Sequence, residues 1–171
     1  MTATTELWDN SEDSVVLNCA RLMHHIVEKG FQCGSIVGAA VVLPLAARKY
    51  FKSHAGSLAG SGPLLMRAMA TSALWGTAFS SVIGGARVVQ LHSTLTPQEF
   101  ADGMQDRAYR LHYNRGQQRV DFFSEAGMAV GGTAALIFVS PAALIVAGGA
   151  AAGAAAGMLA HTATSFSKHE E

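Results

Sequence analysis

The histidines and cysteines are the residues best suited to chemistry in this sequence, and their spacing does not favour a catalytic or metal site. His24 and His25 are adjacent, so they cannot share a helix face and make a poor pair of metal ligands. His112 and His161 are isolated, and the two cysteines match neither a disulfide framework nor a zinc motif. We therefore expect surface histidines, free thiols, no metal site and no cofactor.

Motifs for phosphate binding and nucleophilic catalysis are equally weak. The segment GSLAGSGP at 56–63 is rich in glycine, but it lacks the Lys-Ser/Thr pair with which a P-loop binds phosphate. No Ser-His-Asp or Cys-His spacing stands out. The formal net charge is zero, so the composition does not indicate a nucleic-acid partner. We predict a protein that is not an enzyme and does not bind nucleic acid.

The composition indicates a membrane protein. Half of the 171 residues are hydrophobic and only 14% are charged, against about 25% in ordinary soluble domains. Four apolar stretches have the length that a membrane-spanning helix requires, about 17–25 residues. These predicted spans lie at about 31–51, 66–88, 120–139 and 142–162. The last two come from one apolar region that Pro141 divides, because proline cannot continue a preceding helix. Membrane lipid is therefore an expected partner.

Small residues recur at four-residue spacing in all four predicted spans. The segment GGAAAGAAAG at 148–157 is a weak helix in water but a close-packing surface in a bilayer, where helix association depends on backbone approach. Its expected partner is the third span or a neighbouring protein; the alternative is a run that only fills lipid space. The same spacing predicts helix-packing contacts at nine glycines: Gly34, Gly38, Gly76, Gly84, Gly127, Gly131, Gly149, Gly153 and Gly157.

The first thirty residues are predicted to hold an acidic segment and an amphipathic helix. The N-terminus has four acidic residues and no Lys or Arg before Arg21, which is unlike a secretory signal or an Arg-rich mitochondrial presequence. Residues 12–29 place apolar side chains at helical spacing, and Gly30 is expected to stop that helix. Any targeting information would then lie inside the chain.

A second amphipathic helix is predicted in the long polar loop at 89–119. Thr96 is a predicted N-cap, Pro97 a first helical residue and Glu99 the reciprocal partner of a capping box. A helix should therefore run from 97 to about 112, outside the membrane.

The predicted fold is all-α, a four-transmembrane-helix bundle with Gly/Ala packing stripes and two amphipathic extramembrane helices. Residues 1–30 form the N-terminal part, 31–162 the membrane domain, and 163–171 a flexible tail.

The order of these elements follows a known plan. Four glycine-striped spans, a long polar loop after the second and a charged-then-glycine start of the third, RGQQRVDFFSEAGMAVGG at 115–132, resemble the mitochondrial inner-membrane translocase superfamily. That superfamily includes plastid preprotein and amino-acid transporters and a four-helix accessory subunit of respiratory complex I. Asp121 and the glycines after it fall near its signature positions, whereas Arg115 lies too far from Asp121 and Arg119 too near. The resemblance covers about 31–162.

The resemblance implies a multi-pass protein of the mitochondrial inner membrane, without a cleavable presequence and in contact with other membrane subunits of a large complex. A translocase subunit would need a polar or acidic groove, but the spans offer only Ser and Thr as internal polar groups. We therefore expect a non-catalytic accessory subunit of a respiratory complex, specifically complex I (NADH:ubiquinone oxidoreductase). A protein or metabolite translocase of the same superfamily and a glycine-zipper pore or membrane-shaping protein are the alternatives.

Overall fold

The computed structural model describes residues 14–167, and within this range the protein is all-α without a strand. The predicted acidic N-terminus and residues 168–171 of the predicted tail lie outside the described residues. Residues 163–167 of the predicted tail continue the last helix. Five helices follow one another: α1 (Val15–Ser53), α2 (Gly62–Thr94), α3 (Pro97–Tyr113), α4 (Arg115–Phe138) and α5 (Ala143–Ser167).

Helix α1 is continuous over 39 residues, so the prediction that Gly30 stops an amphipathic helix is wrong. Ser14 caps its start, since the Ser14 side chain accepts a hydrogen bond from the Leu17 N–H at 3.3 Å. Gly30 is buried in the middle of the helix, where a Cβ atom would lie 2.6 Å from the carbonyl oxygen of Gly76. The glycine therefore permits close approach of α2 and does not end α1.

The geometry of α1 changes just before Pro44. α-Helical Val15–Val37 and Leu43–Ser53 flank a π-helical segment, Gly38–Val42. Proline has no N–H to offer the carbonyl four residues earlier. In the π segment the Leu43 N–H donates to the Gly38 carbonyl, five residues back, which accommodates the interruption and lets the helix continue.

The other helices extend beyond the predicted spans. Helix α2 extends beyond the predicted bounds 66–88 at both ends, and α5 continues past the predicted end at 162. Helix α4 begins at Arg115, earlier than the predicted start at about 120. The early start of α4 is explained by Asn114, whose side chain accepts a hydrogen bond from the Gln117 N–H at 3.1 Å and caps the helix. Most of the predicted polar loop at 89–119 is consequently helical.

Helix α3 confirms the predicted loop helix and its capping box. The Thr96 hydroxyl accepts from the Glu99 N–H at 3.3 Å, and the Glu99 carboxylate accepts from the Thr96 N–H at 2.9 Å. The buried side chains of α3 are Phe100, Met104 and Ala108, and the helix packs on the N-terminal part of α1. We call this the α3 end of the bundle.

The long helices form two antiparallel pairs. Along α1 and α2, Gly30 lies opposite Gly76 and Gly38 lies opposite Met69, so the residue numbers run in opposite directions. Helices α4 and α5 pair in the same way through glycines. Helix α5 also packs on α2 and α1, where Met69, Ala73 and Ala151 form a core of mostly small side chains.

Three of the described helices are long and apolar enough to cross a membrane: α1, α4 and α5, the last over Ala143–Ser165. Helix α2 has 33 residues, but it falls outside this group. By length and composition, the sequence prediction of four spans is supported for three helices.

Candidate functional site

A cluster of polar side chains joins α1 to α4 near the α3 end, and we call it the polar cluster. Gln32 is its centre: this side chain is buried, and its Nε2 donates to Glu28 at 3.0 Å and to Asp121 at 2.9 Å. Lys29 forms an ion pair with Asp121 and donates to the Gln32 side-chain oxygen at 2.7 Å. Gln117 adds a further hydrogen bond to Asp121 at 3.1 Å.

Helical spacing explains how the polar cluster assembles. Glu28 and Gln32 are four residues apart on α1, as Gln117 and Asp121 are on α4, so each pair lies on one helix face. The Lys29 and Asp121 side chains are only 25% and 17% exposed. Because charges removed from water need a partner, this ion pair fixes α1 against α4 at one place.

A cavity of about 400 Å³ lies beside the polar cluster, between α1 and α3. His25 and Glu28 line it on the α1 side, and His112 and Leu111 line it on the α3 side. His112 also makes an edge contact with the Tyr113 ring, at 5.0 Å between ring centroids. The cavity gives small solutes access to His25 and Glu28.

His25, Glu28 and Asp121 come together although the sequence analysis did not group them. One ligand atom from each lies within 4.8 Å of the others. In the sequence, His25 stands out only beside its neighbour His24, and the His24 side chain is exposed. The available signal was the helical spacing of His25, Glu28 and Gln32 beside an apolar stretch; the contribution of α4 could come only from the fold. The group can share a proton or bind a cation.

Asp121, Arg115 and Arg119, the three residues compared with the superfamily signature, do not form one group in the structure. Asp121 is the acceptor of the polar cluster, with donors from Lys29 and Gln32. Arg115 and Arg119 are exposed on the first turns of α4. The structure therefore gives Asp121 a role between helices that does not involve either arginine.

The predicted glycines of α1 and α2 lie at close helix contacts. A Cβ atom at Gly34 would meet the backbone of Ser72 and Ala73, and the Ser72 hydroxyl donates to the Gly34 carbonyl at 2.8 Å. Conversely, a Cβ atom at Gly76 on α2 would meet backbone atoms of Gly34 on α1. The two remaining predicted glycines face side chains: Gly38 lies against Met69 and Gly84 against Ile26.

The predicted glycines of α4 and α5 form a second series of backbone contacts. Cβ atoms at Gly127 and Gly153 would each collide with the other residue's carbonyl oxygen, and Gly131 and Gly149 oppose each other in the same way. Gly157 lies against the Phe123 carbonyl. The partner of the last apolar segment is thus α4 of the same chain.

Two close contacts were missed by the sequence analysis. Gly30 was interpreted as a helix stop, and Gly148 was not selected, yet a Cβ atom at Gly148 would collide with the Met66 carbonyl of α2. Gly30 lies four residues before Gly34 and continues the same spacing, whereas Gly148 is the immediate neighbour of Gly149. The contact at Gly148 brings α5 against α2 and so joins the two helix pairs.

The comparisons with known proteins match the chain to a family. A family model described as "Protein of unknown function (DUF1757)" matches residues 13–164, which include all five helices except the last residues of α5. No curated protein matches the sequence.

Proposed function

The chain belongs to the DUF1757 family, and we propose that it is a non-catalytic membrane subunit that braces a large respiratory complex of the mitochondrial inner membrane. Complex I is the specific host that we propose, because the resemblance to its four-helix accessory subunit covers the same glycine-striped spans and the loop helix. The proposal includes four membrane crossings.

The crossing by α2 is supported by its pairing with α1. The two helices run antiparallel, with contacts that extend from Gly84 against Ile26 to Gly38 against Met69. At 1.5 Å per residue, the 33 residues of α2 are about 50 Å long, more than the hydrocarbon thickness of about 30 Å. If α1 crosses a bilayer, a helix of this length that runs antiparallel beside it can cross as well.

The observation that carries the bracing role is the tightly packed interior of the bundle outside the polar cluster. Its hydroxyl groups bond mainly to carbonyls of their own helices, as Ser35 does to Phe31 at 2.8 Å and Thr77 to Ala73 at 3.0 Å. Glycines of facing helices bring their backbones into direct contact there. A polypeptide in transit would need polar groups that face a groove, so this interior favours a structural subunit over a translocase.

The outward surface of the long helices suits contact with lipid and with other membrane subunits. Trp75 and Phe79 are 72% and 68% exposed on α2, and Phe138 is 83% exposed on α4. Exposed apolar groups of this size are typical of membrane or protein contact surfaces. The glycines of α5 already pack against α4 and α2 of the same chain. This packing disfavours a pore built from isolated copies of α5.

Native gel electrophoresis of mitochondria dissolved in mild detergent tests the proposal. We expect the protein to co-migrate with a megadalton band that oxidises NADH, and depletion of the protein to lower the amount of that band. A small mitochondrial membrane protein outside any complex marks the position of free subunits and serves as the control.

Other outcomes identify the alternatives. Migration with import components, together with cross-links to a protein in transit, would support a translocase subunit. Migration as a small oligomer that conducts ions after reconstitution would support a pore. Either result would contradict the bracing role.

A further inference from the structure

We propose that His25, Glu28 and Asp121 form a binding site for a divalent transition-metal ion, with Zn²⁺ as the ion of best fit, and that the bound ion ties α1 to α4. The bracing role does not require these three residues, and metal binding to them can be tested without a host complex.

The donor atoms match this class of ion. One imidazole nitrogen and two carboxylate oxygens are common ligands of Zn²⁺, whereas Mg²⁺ and Ca²⁺ prefer oxygen ligands only. Zinc bonds of about 2.0–2.2 Å at tetrahedral angles place two ligands of one ion roughly 3.3–3.6 Å apart. The three ligand atoms lie within 4.8 Å of one another, so modest rotations of long side chains bring them into range.

The hydrogen bonds around the carboxylates orient them as outer-shell partners do in metal sites. Gln32 donates to Glu28 at 3.0 Å and to Asp121 at 2.9 Å, which holds the two acids toward each other between α1 and α4. Lys29 and Gln117 donate to the same Asp121 oxygen, Oδ1, as Gln32 does. None of these three donors bonds to the second oxygen, Oδ2, which is the oxygen that we expect to bind the ion.

The charges in and around the polar cluster favour a further cation. Glu28 and Asp121 share one close ammonium group, that of Lys29, and Glu125 lies within electrostatic range of Glu28. Acidic groups that face each other with incomplete compensation require a proton or a cation between them. The cavity of about 400 Å³ lined by His25 and Glu28 gives an ion and its remaining water ligands access from the α3 end.

The test is Zn²⁺ binding to the full-length protein in detergent, after removal of metal with a chelator and with Cys19→Ser and Cys33→Ser to exclude thiol ligands. We expect one Zn²⁺ per chain, measured by competition with a chromogenic chelator and by elemental analysis. Co²⁺ should give the visible absorption of a site with nitrogen and oxygen ligands, and Zn²⁺ should raise the unfolding temperature.

Variants distinguish this site from adventitious binding. His25→Ala and Glu28→Gln should weaken Zn²⁺ binding by more than tenfold, and Gln32→Leu by about 10–100-fold. His24→Ala is the matched control, because His24 is the exposed neighbour of His25, and it should bind as the parent does. Circular dichroism of the metal-free proteins checks that each variant is folded.

Two results would overturn the inference. The first is the absence of stoichiometric Zn²⁺ binding to the folded parent protein, which would leave a shared proton as the occupant. The second is binding that His25→Ala and Glu28→Gln leave unchanged, which would place the ion on other surface groups.

Discussion

Gly153 lies where the backbones of α4 and α5 touch. A Cβ atom there would collide with the carbonyl oxygen of Gly127, and Gly131 lies against the same residue. The neighbour that would have to move is backbone and not the end of a flexible side chain, so the contact cannot adapt locally. At this scale the small-residue spacing is informative, because only residues without long side chains permit such an approach.

Gly153→Leu should therefore destabilise the bundle by about 1–3 kcal/mol, the usual cost of inserting a side chain into a packed site, while membrane insertion is retained. The measurement is the unfolding midpoint in detergent, followed by circular dichroism. Gly85→Leu is the matched control, since a Cβ atom at Gly85 meets nothing within 4 Å. Equal midpoints for the parent and Gly153→Leu would show that the α4–α5 contact is not as close as described.

Helix α3 shows how a short sequence motif determines an element. The reciprocal hydrogen bonds of Thr96 and Glu99 satisfy N–H groups that the first turn of a helix leaves unpaired. Phe100, Met104 and Ala108 then attach the helix to the bundle. The hydrogen bonds from the side chain and backbone of Thr96 lower the pKa of the Glu99 carboxyl in the folded protein.

The contribution of Glu99 to stability should depend on pH. Since its pKa is lowered by folding, the contribution is present above the unfolded value of about 4.3 and is lost as the pH falls through the folded value. Unfolding midpoints of the parent and Glu99→Ala should differ at neutral pH and converge in acid. In a Thr96→Ala background, the pH-dependent difference caused by Glu99→Ala should become smaller, because the side-chain hydrogen bond is lost and the backbone one is kept. A difference between the parent and Glu99→Ala that persists in acid would assign the effect to something other than the carboxylate.

The whole molecule is organised by antiparallel helix pairs, and this arrangement predicts where its connections lie. If all four long helices cross a membrane, the α1–α2 and α4–α5 connections lie on one side and α3 lies on the other. Ser57, Ala142 and Gln98 are exposed residues at these three places. The arrangement puts the polar cluster on the same side as α3.

Cysteine labelling in sealed vesicles tests this topology. In a protein with Cys19→Ser and Cys33→Ser, Ser57→Cys and Ala142→Cys should react with an impermeant maleimide from one side, and Gln98→Cys from the opposite side. The reason is that α2 and α4 each separate α3 from a connection. Labelling of Ser57→Cys and Gln98→Cys from the same side would show that α2 does not cross, and detergent-opened vesicles control for reactivity.

The sequence by itself determined the elements that depend on local chemistry. The capping box at Thr96 and the helix break at Pro141 were predicted correctly because a cap or a missing N–H acts within a few residues. The all-α class followed from the helical spacing of apolar and small residues. The sequence also identified the residues that could permit close packing, because the absence of a side chain is visible in any context.

The tertiary structure alone decided which of these residues meet. Gly30 has the local character of a helix stop, but the close approach of α2 makes it an interior residue of α1. His25, Glu28 and Asp121 form one group because the fold brings side chains of α1 and α4 together at this point, although Asp121 lies far from the other two along the chain. Helical periodicity predicts which side chains share a face, whereas the partner of that face depends on how all five helices pack together.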